Sequence, residues 1–165
     1  MVNEKSCTGR NAMTIHIQQL EAPLNREFVD ELINLWNDNT LETADCTLDD
    51  QDREMIHQQL KQYVQSVYGA VFAVVNEKQK AVGYGLASIK KDLVSGCLCG
   101  QIDEVYIAPG YRRNKLGKLV ADRMMDWFER HQVSHVQVSV DIDNQSALHF
   151  WEGIGFSSEF YLLTH

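Results

Sequence analysis

Hydrophobic residues recur along the chain with two different periods, and the succession of these periods predicts the secondary structure. In the segment 13–20, Ile15 and Ile17 alternate with polar residues, which is typical of a half-buried strand. Two stretches with helical spacing follow, and we expect a polar loop between them. Their apolar positions are Phe28, Val29, Leu32, Ile33 and Trp36 in the first stretch, and Ile56, Leu60, Tyr63, Val64 and Val67 in the second. Asn25 is a candidate N-cap for the first helix.

The rest of the chain alternates between strand and helix patterns. Strands are predicted for 70–75, 81–89 and 101–109, where Pro109 cannot donate to a ladder and so marks an end. A helix follows from about Asn114, then a strand over 135–140, a short helix over 144–155 stopped by Gly155, and a strand over 160–163. The order β-α-α-β-β-β-α-β-α-β predicts one α/β domain over 13–165, with helices covering a mixed sheet. Residues 1–12 are expected to be a flexible polar tail.

Composition narrows the class of protein. The 165 residues with 44% hydrophobic content are typical of a single globular domain. No apolar run approaches the roughly 20 residues that span a bilayer, so we expect a soluble, cytoplasmic protein without a membrane partner. The formal net charge of −8 argues against nucleic-acid binding. Cys97 and Cys99 have no second ligand pair in the sequence, so we expect reduced cysteines and no metal site.

One basic segment stands out in this acidic chain. Within 108–120, APGYRRNKLGKLV, four basic residues occupy seven positions: Arg112, Arg113, Lys115 and Lys118. The segment lies where a predicted strand gives way to a helix, whose first N–H groups and positive dipole end attract anions. Gly117 would allow close approach of a ligand to the backbone. The segment therefore predicts a phosphate or pyrophosphate site, and the alternative is a solvated, basic helix start.

Two motifs in sequence order resemble those of a known enzyme family. The run 102–128 is similar to the acetyl-CoA-binding strand, loop and helix of GNAT-type N-acetyltransferases, and 112–117 aligns with the family signature Q/R-x-x-G-x-G/A. The segment 144–156 resembles the family pattern N-x-x-A-x-x-x-Y-x-x-x-G-F at Asn144, Ala147, Gly155 and Phe156. The resemblance implies a mixed, mostly antiparallel sheet flanked by helices, with acetyl-CoA as cosubstrate. It also implies a homodimer, because members of the family are often dimers.

The resemblance also assigns residues to the cosubstrate. The residues implied are Val105, Tyr106, Ile107, Arg112, Arg113, Asn114, Lys115, Leu116, Gly117, Lys118, Asn144 and Trp151. Lys115 stands where the family has its first Gly. If the backbone at this position must be left-handed, lysine would cost about 1 kcal/mol. If the position requires only space, a lysine side chain that points outward would be tolerated. Trp151 stands where the family often has the Tyr that protonates the thiolate. An indole is no usable acid, so water, Tyr106 or Tyr161 would take that role.

Glu104 is the candidate general base. An alkylamine with a pKa of about 10.4 is protonated at neutral pH, so a group must accept its proton. Strand alternation predicts that Glu104 shares a largely apolar face with Ile102 and Tyr106, and that Asp103 points to the other face unless a bulge intervenes. Burial there would raise the pKa of Glu104; the alternative is an ordinary paired or solvent-facing Glu. Strand N–H groups at 105–107 would also stabilise an oxyanion.

The acceptor is less constrained. The segment 37–54 carries seven carboxylates against a single Arg53, and the resemblance places it beside the acceptor site. Such a cluster would attract a polycation such as a polyamine, an aminoglycoside-like amine or a basic peptide. The alternative is that Asp49 and Asp50 cap a helix and the other carboxylates are solvated. The functional prediction is therefore acetyl transfer from acetyl-CoA to a primary amine. The alternatives are acetylation of a protein N-terminus or lysine, and a CoA-binding module with little or no catalysis.

Overall fold

The computed structural model describes residues 14–159 as one sheet with helices on both faces. Its elements are β1 (Ile15–Gln19), α1 (Arg26–Ala44), α2 (Asp50–Gln65), β2 (Gly69–Asn76), β3 (Ala81–Lys91), β4 (Leu98–Ile107), a 3₁₀ turn (Pro109–Tyr111), α3 (Leu116–Arg130), β5 (His135–Val138) and α4 (Gln145–Gly153). The order of these elements is the predicted one. The predicted tail over 1–12 and strand over 160–163 lie outside the described residues. Within 14–159, no helix is long and apolar enough to cross a bilayer.

The sheet has the order β1-β2-β3-β4-β5, in which the first four strands are antiparallel and β5 runs parallel to β4. This confirms the mixed, mostly antiparallel α/β prediction. Each face of the sheet carries its own core. On one face Val71 and Tyr84 pack with α1 and α2, and on the other Phe72 and Val74 pack with α3. Strand β2 is buried along almost its whole length because helices cover both of its faces.

Helix α1 is longer than the sequence indicates. The Asn25 side chain caps it as predicted, accepting a hydrogen bond from the Phe28 N–H at 3.0 Å. The predicted loop after Trp36 is wrong over residues 37–44, which are helical up to Ala44. This polar stretch lacks an apolar stripe, and its Leu41 is exposed, but it contains no Gly or Pro to stop the helix. The extension carries Asp38, Asn39 and Glu42 over the sheet.

Helix α2 begins as predicted and ends earlier. Asp49 and Asp52 form a capping box: Asp49 Oδ1 accepts from the Asp52 N–H at 2.8 Å, and Asp52 Oδ2 accepts from the Asp49 N–H at 3.1 Å. For Asp49, the capping alternative is thus confirmed. The helix ends at Gln65, so the prediction that Val67 belongs to its buried stripe is wrong. Val67 is 72% exposed.

A bulge in β4 puts Glu104 and Ile102 on opposite faces of the sheet. Leu86 pairs with Glu104 whereas the next residue, Ala87, pairs with Ile102, so Asp103 is the extra residue. Ile102 consequently packs on the α3 face, and Tyr106 packs on the α1–α2 face. The predicted shared face of Glu104 with Tyr106 is correct, and the one with Ile102 is wrong, because the bulge inverts the alternation between them.

Candidate active site

The Glu104 carboxylate lies at the meeting point of three elements. Tyr84 of β3 donates its hydroxyl hydrogen to Glu104 Oε1 at 2.8 Å. Asn39 of α1 donates from Nδ2 to the same oxygen, and also to the Tyr84 hydroxyl at 3.2 Å. Burial raises the pKa of Glu104 above its ordinary value, and Asp103 acts in the same direction, against the lowering by the two hydrogen bonds. A partly buried carboxylate with a raised pKa is suited to accept a proton near neutral pH.

Aromatic rings form a wall beside this carboxylate. Trp36 of α1 stacks on Tyr84 with ring centroids 5.3 Å apart and planes at 17°, and Tyr84 lies 5.9 Å from Tyr106. The Tyr106 hydroxyl donates to Glu42 Oε1 at 2.6 Å. Burial and then this hydrogen bond raise the pKa of Tyr106 well above its ordinary value. The Tyr106 hydroxyl therefore keeps its proton, which it donates in a hydrogen bond to Glu42, and is a poor acid for a thiolate. Tyr161, the other tyrosine predicted for this role, lies outside the described residues.

One edge of β4 opens next to Glu104. The pairing between β4 and β5 runs from Cys99 with His135 to Ile102 with Val138, and Glu104 follows two residues later. The Ala108 N–H donates to Val82 O of β3 at 3.0 Å. Antiparallel alternation therefore directs the polar backbone groups of Val105 and Ile107 to the β5 side, and those of Tyr106 to β3.

The side chain of Arg112 is committed to contacts within the protein. Its Nε donates to Ile107 O at 2.7 Å, and its Nη2 lies 2.7 Å from Glu42 Oε2 and 3.0 Å from Oε1. The guanidinium carbon also lies 5.3 Å from the centroid of the Tyr106 ring. Arg112 therefore ties the start of the loop to β4 and α1, and this basic side chain is already neutralised.

The next residues form a tight loop with an unusual backbone. Arg113 and Lys115 have φ values of 64° and 61°, in the left-handed region. Between them, Asn114 donates from Nδ2 to Tyr111 O at 3.1 Å and to Arg112 O at 3.3 Å. The choice left open for Lys115 is thereby decided: the position requires a positive φ, which costs roughly 1–2 kcal/mol for a residue other than glycine.

The N-terminus of α3 is open to a ligand. Lys115 is its N-cap and makes no capping hydrogen bond through its side chain, and the N–H groups of the first helical residues have no partner within the helix. Leu116 is buried and anchors the turn. A Cβ built on Gly117 would lie 3.4 Å from the Phe150 ring, an ordinary contact. Lys118 is paired with Asp122 at 2.7 Å.

This arrangement fits the phosphates of acetyl-CoA. Unpaired helix N–H groups at a positive dipole end, with the exposed side chains of Arg113 and Lys115 beside them, form an anion site. Within the described residues, the edge of β4 beyond Ile102 is unpaired, and it offers the backbone groups of Val105 and the N–H of Ile107 to an extended, amide-containing chain. The basic segment lies at the strand-to-helix junction as predicted, and its role as a phosphate site stays a prediction. The sequence did not indicate that the side chain of Arg112 is engaged by Glu42 and by the carbonyl oxygen of Ile107.

Two predicted cosubstrate residues of the α4 region make contacts within the protein. Asn144 is the N-cap of α4, where Oδ1 accepts from the Ala147 N–H at 3.0 Å. Trp151 is 6% exposed and packs edge-on against Phe150 and Phe156 in the core below α3. The predicted contacts of Asn144 and Trp151 with the cosubstrate stay predictions. Gly155, with φ of 104°, follows the helix end as expected.

The sequence did not indicate Asn39, Tyr84 or Trp36 as site residues, and Trp36 was predicted only as an apolar position of the first helix. Tyr84 lies in an apolar strand pattern and reads as an ordinary core residue. Trp36 and Asn39 are three positions apart, which places them on one helix face, but the polar stretch after Trp36 predicts a loop. The available signal was the absence of any helix-stopping residue before Asp45.

The sequence and the fold were compared with known proteins. The family model described as "Acetyltransferase (GNAT) family" matches residues 29–156. No curated protein matches the sequence significantly. Among solved structures, the aminoglycoside N-acetyltransferase AAC(6')-Iy in complex with CoA aligns with a TM-score of 0.74 at 15% identity, covering 94% of this chain and 95% of that one.

Two further solved structures have similar folds. An aminoglycoside acetyltransferase from an uncultured soil metagenomic sample, in complex with sisomicin, aligns with a TM-score of 0.73 at 18% identity, covering 92% of this chain and 93% of that one. A transcriptional regulator from Bacillus halodurans aligns with a TM-score of 0.77 at 15% identity, covering 91% and 99%. At these identities the likeness concerns the fold, and the match to the family model goes further: the chain belongs to the GNAT family of acetyltransferases, whose cosubstrate is acetyl-CoA.

Proposed function

We propose that this protein transfers the acetyl group of acetyl-CoA to a primary amine of a small cationic molecule, with Glu104 as general base. The observation that carries the proposal is a partly buried carboxylate of raised pKa, held by Asn39 and Tyr84 next to the open edge of β4. A base in this position removes the proton that an attacking amine must lose.

Acetyl-CoA, when bound, supplies a thioester carbon to which the amine nitrogen forms a C–N bond while the C–S bond breaks and CoA leaves as its thiolate. Glu104 takes the proton released by the nitrogen. The backbone N–H groups of Val105 and Ile107 lie on the edge where they can donate to developing negative charge on the carbonyl oxygen. A solvent proton neutralises the thiolate, because the Tyr106 hydroxyl is bound to Glu42 and Trp151 carries no acidic group.

The phosphates of the cosubstrate are assigned to the loop and the start of α3. The N–H groups of Leu116, Gly117 and Lys118 donate to the pyrophosphate, and the exposed side chains of Arg113 and Lys115 add positive charge. Arg112 serves by holding the loop against β4 and α1 through Ile107 O and Glu42.

The acceptor class is inferred from charge. Asp38 lies on α1 near Tyr106 of the aromatic wall, and Asp45 caps the C-terminal end of this helix, whereas Glu42 is neutralised by Arg112. Within residues 14–159, neither Asp38 nor Asp45 forms an ion pair, and unpaired carboxylates on this part of α1 favour a positively charged acceptor. Similar folds that act on aminoglycosides are consistent with this class.

The test is a free-thiol release assay with acetyl-CoA and an amine panel: spermidine, neamine, benzylamine and a lysine-containing peptide. We expect turnover with the polycations, and a fall in kcat of about 10²-fold or more for Glu104→Gln without a matching change in acetyl-CoA affinity by calorimetry. Turnover with the peptide alone would favour protein acetylation. Binding of acetyl-CoA without thiol release on any amine would overturn the proposal in favour of a binding module.

A further inference from the structure

Both hydrogen-bond donors that reach the Glu104 carboxylate arrive at the same oxygen. Asn39 Nδ2 and the Tyr84 hydroxyl each donate to Oε1. Within residues 14–159, no hydrogen bond from another side chain or from the backbone reaches Oε2. The two carboxylate oxygens, which are chemically equivalent in a free glutamate, are therefore in different environments.

This asymmetry determines where a proton can be added. An oxygen that already accepts two hydrogen bonds must lose one of them to become an O–H group, whereas the carbonyl oxygen of a neutral carboxyl can keep accepting both. Protonation at Oε2 thus leaves both donors of Oε1 satisfied, in the charged and in the neutral state. Since Tyr84 is only 2% exposed, no bulk water replaces a lost acceptor for its hydroxyl.

The two donors are themselves rigidly placed. The ring of Tyr84 is held in the core by Trp36, which stacks on it at 5.3 Å. Asn39 lies three residues further along α1, on the same helix face as Trp36. One helix therefore supplies both the packing that fixes Tyr84 and the second donor.

We propose that Asn39 and Tyr84 are positioning residues that hold Oε1 of Glu104 and so reserve Oε2 as the atom that receives the proton of the acceptor amine. This inference rests on the proposed function of Glu104 as base. It adds a division of roles within one carboxylate: Oε1 for orientation and Oε2 for proton transfer. No rearrangement of hydrogen bonds accompanies the proton transfer, which lowers its cost.

Other ionisable groups lie near Glu104, and their influence on its pKa must be distinguished from that of Asn39 and Tyr84. Asp103 neighbours Glu104 on β4, and its Oδ2 accepts from the Tyr63 hydroxyl of α2 at 2.9 Å. Tyr106 of β4 is paired with Glu42 of α1, and Asp38 lies near Tyr106. Arg112 binds Glu42 from the loop before α3. These groups remain in place when the Tyr84 hydroxyl alone is removed.

The experiment measures the titration of Glu104 directly and then its kinetic consequence. Protein with ¹³C-labelled glutamate carboxyls is titrated by NMR without ligands, and the Glu104 signal is assigned by its absence in Glu104→Gln. Tyr84→Phe keeps the stacked ring, and Asn39→Ala keeps a good helix former. Each variant loses one hydrogen bond that is stronger with the charged than with the neutral carboxyl, so we expect the midpoint of Glu104 to rise by about one pH unit.

Tyr63→Phe is the matched control, since it removes a hydroxyl bound to the adjacent carboxylate, Asp103, and should leave the Glu104 midpoint in place. In the thiol release assay with neamine, the acidic limb of kcat/KM should move upward in Tyr84→Phe and Asn39→Ala by the same amount as the NMR midpoint, and kcat should fall about tenfold.

An unchanged midpoint in both variants, or an equal shift in Tyr63→Phe, would overturn the inference. A shifted midpoint with an unchanged kcat/KM profile would also overturn it, because the donors would then not act on the proton acceptor. Failure of the proposed function gives a different result. If Glu104 is not the general base, Glu104→Gln would retain the acidic limb of the kcat/KM profile, whatever the NMR titration shows.

Discussion

Arg112 and Glu42, 70 positions apart in the chain, form an ion pair in which the guanidinium Nη2 lies 2.7 Å from Oε2 of the carboxylate. This pair joins the loop before α3 to α1, and therefore links the proposed phosphate site to the side of the sheet that carries Glu104. The Tyr106 ring lies under the guanidinium, and its hydroxyl donates to the same carboxylate. Three elements thus share one charge cluster.

The first prediction concerns the strength of this pair. The two side chains are 42% and 37% exposed, so we expect a coupling free energy of about 0.5–1 kcal/mol in a double-mutant cycle of Arg112→Gln and Glu42→Gln. Arg112→Lys should not restore the wild-type stability, since lysine lacks the planar fork and stacks poorly on Tyr106. Urea denaturation of the four proteins measures the coupling, and strictly additive effects would contradict it.

The second prediction compares two carboxylates with opposite pKa shifts. The raised pKa of Glu104 means that its contribution to stability is present below the ordinary carboxyl pKa of 4.5 and is lost as the pH rises through the folded value. Although burial opposes it, hydrogen bonds from Tyr106 and Arg112 lower the pKa of Glu42. The contribution of Glu42 is therefore present above the same ordinary value of 4.5 and is lost as the pH falls through its folded value.

Unfolding free energies at about pH 4 and about pH 7 test both signs. Near neutral pH, Glu104→Gln should be as stable as the wild type or more so, because glutamine offers Oε1 to the same donors without a buried charge. Glu42→Gln should be less stable than the wild type near neutral pH, with a smaller difference in acid. If Glu104→Gln lowered the free energy of unfolding near neutral pH and Glu42→Gln left it unchanged, the directions assigned to the two pKa shifts would be contradicted.

The third prediction addresses the left-handed backbone at Lys115, where φ is 61°. Lys115→Gly should relieve strain of roughly 1–2 kcal/mol. The extra entropy of glycine in the unfolded chain offsets part of this gain, and a net gain of about 1 kcal/mol would raise the melting temperature by about 2–4 °C. Lys115→Ala is the control, since it removes the same charge without relieving the strain. Thermal unfolding without ligand should show stabilisation for glycine only; equal melting temperatures would argue against a strained loop.

The fourth prediction separates packing from ligand binding at Gly117. A Cβ there would be in ordinary contact with Phe150 at 3.4 Å, so Gly117→Ala should leave thermal stability within about 0.5 kcal/mol of wild type. If a phosphate approaches the start of α3, the added methyl should weaken CoA binding about tenfold through a lengthened hydrogen bond.

Calorimetry with CoA measures this affinity. Gly110→Ala is the matched control, because no atom lies within 4 Å of the added Cβ and the residue precedes the basic loop. We expect wild-type affinity for Gly110→Ala. The same affinity for Gly117→Ala would place the phosphates elsewhere.

The sequence by itself determined the order of the elements and the place of the basic segment at a strand-to-helix junction. Helical and strand periods depend on neighbours within a few positions, so the apolar stripes around Leu32 and Val120 and the alternation around Ile15 were readable locally. The basic segment 108–120 was readable for the same reason, since its charge and its position between a strand and a helix are local features of the chain. That this segment binds the phosphates of the cosubstrate stays a prediction. The length of α1 could not be read from the sequence, because Asn39 and Glu42 lie in a polar extension of the helix that has no apolar stripe.

Tertiary structure decided what each side chain contacts. The bulge at Asp103 depends on how β3 and β4 pair, and it puts Glu104 and Ile102 on opposite faces of the sheet. Asn39 and Tyr84 converge on Glu104 from 65 and 20 positions away, and Arg112 is neutralised by Glu42 from a distant helix. Such contacts depend on the packing of separate elements across the sheet, and local sequence patterns contain no information about that geometry.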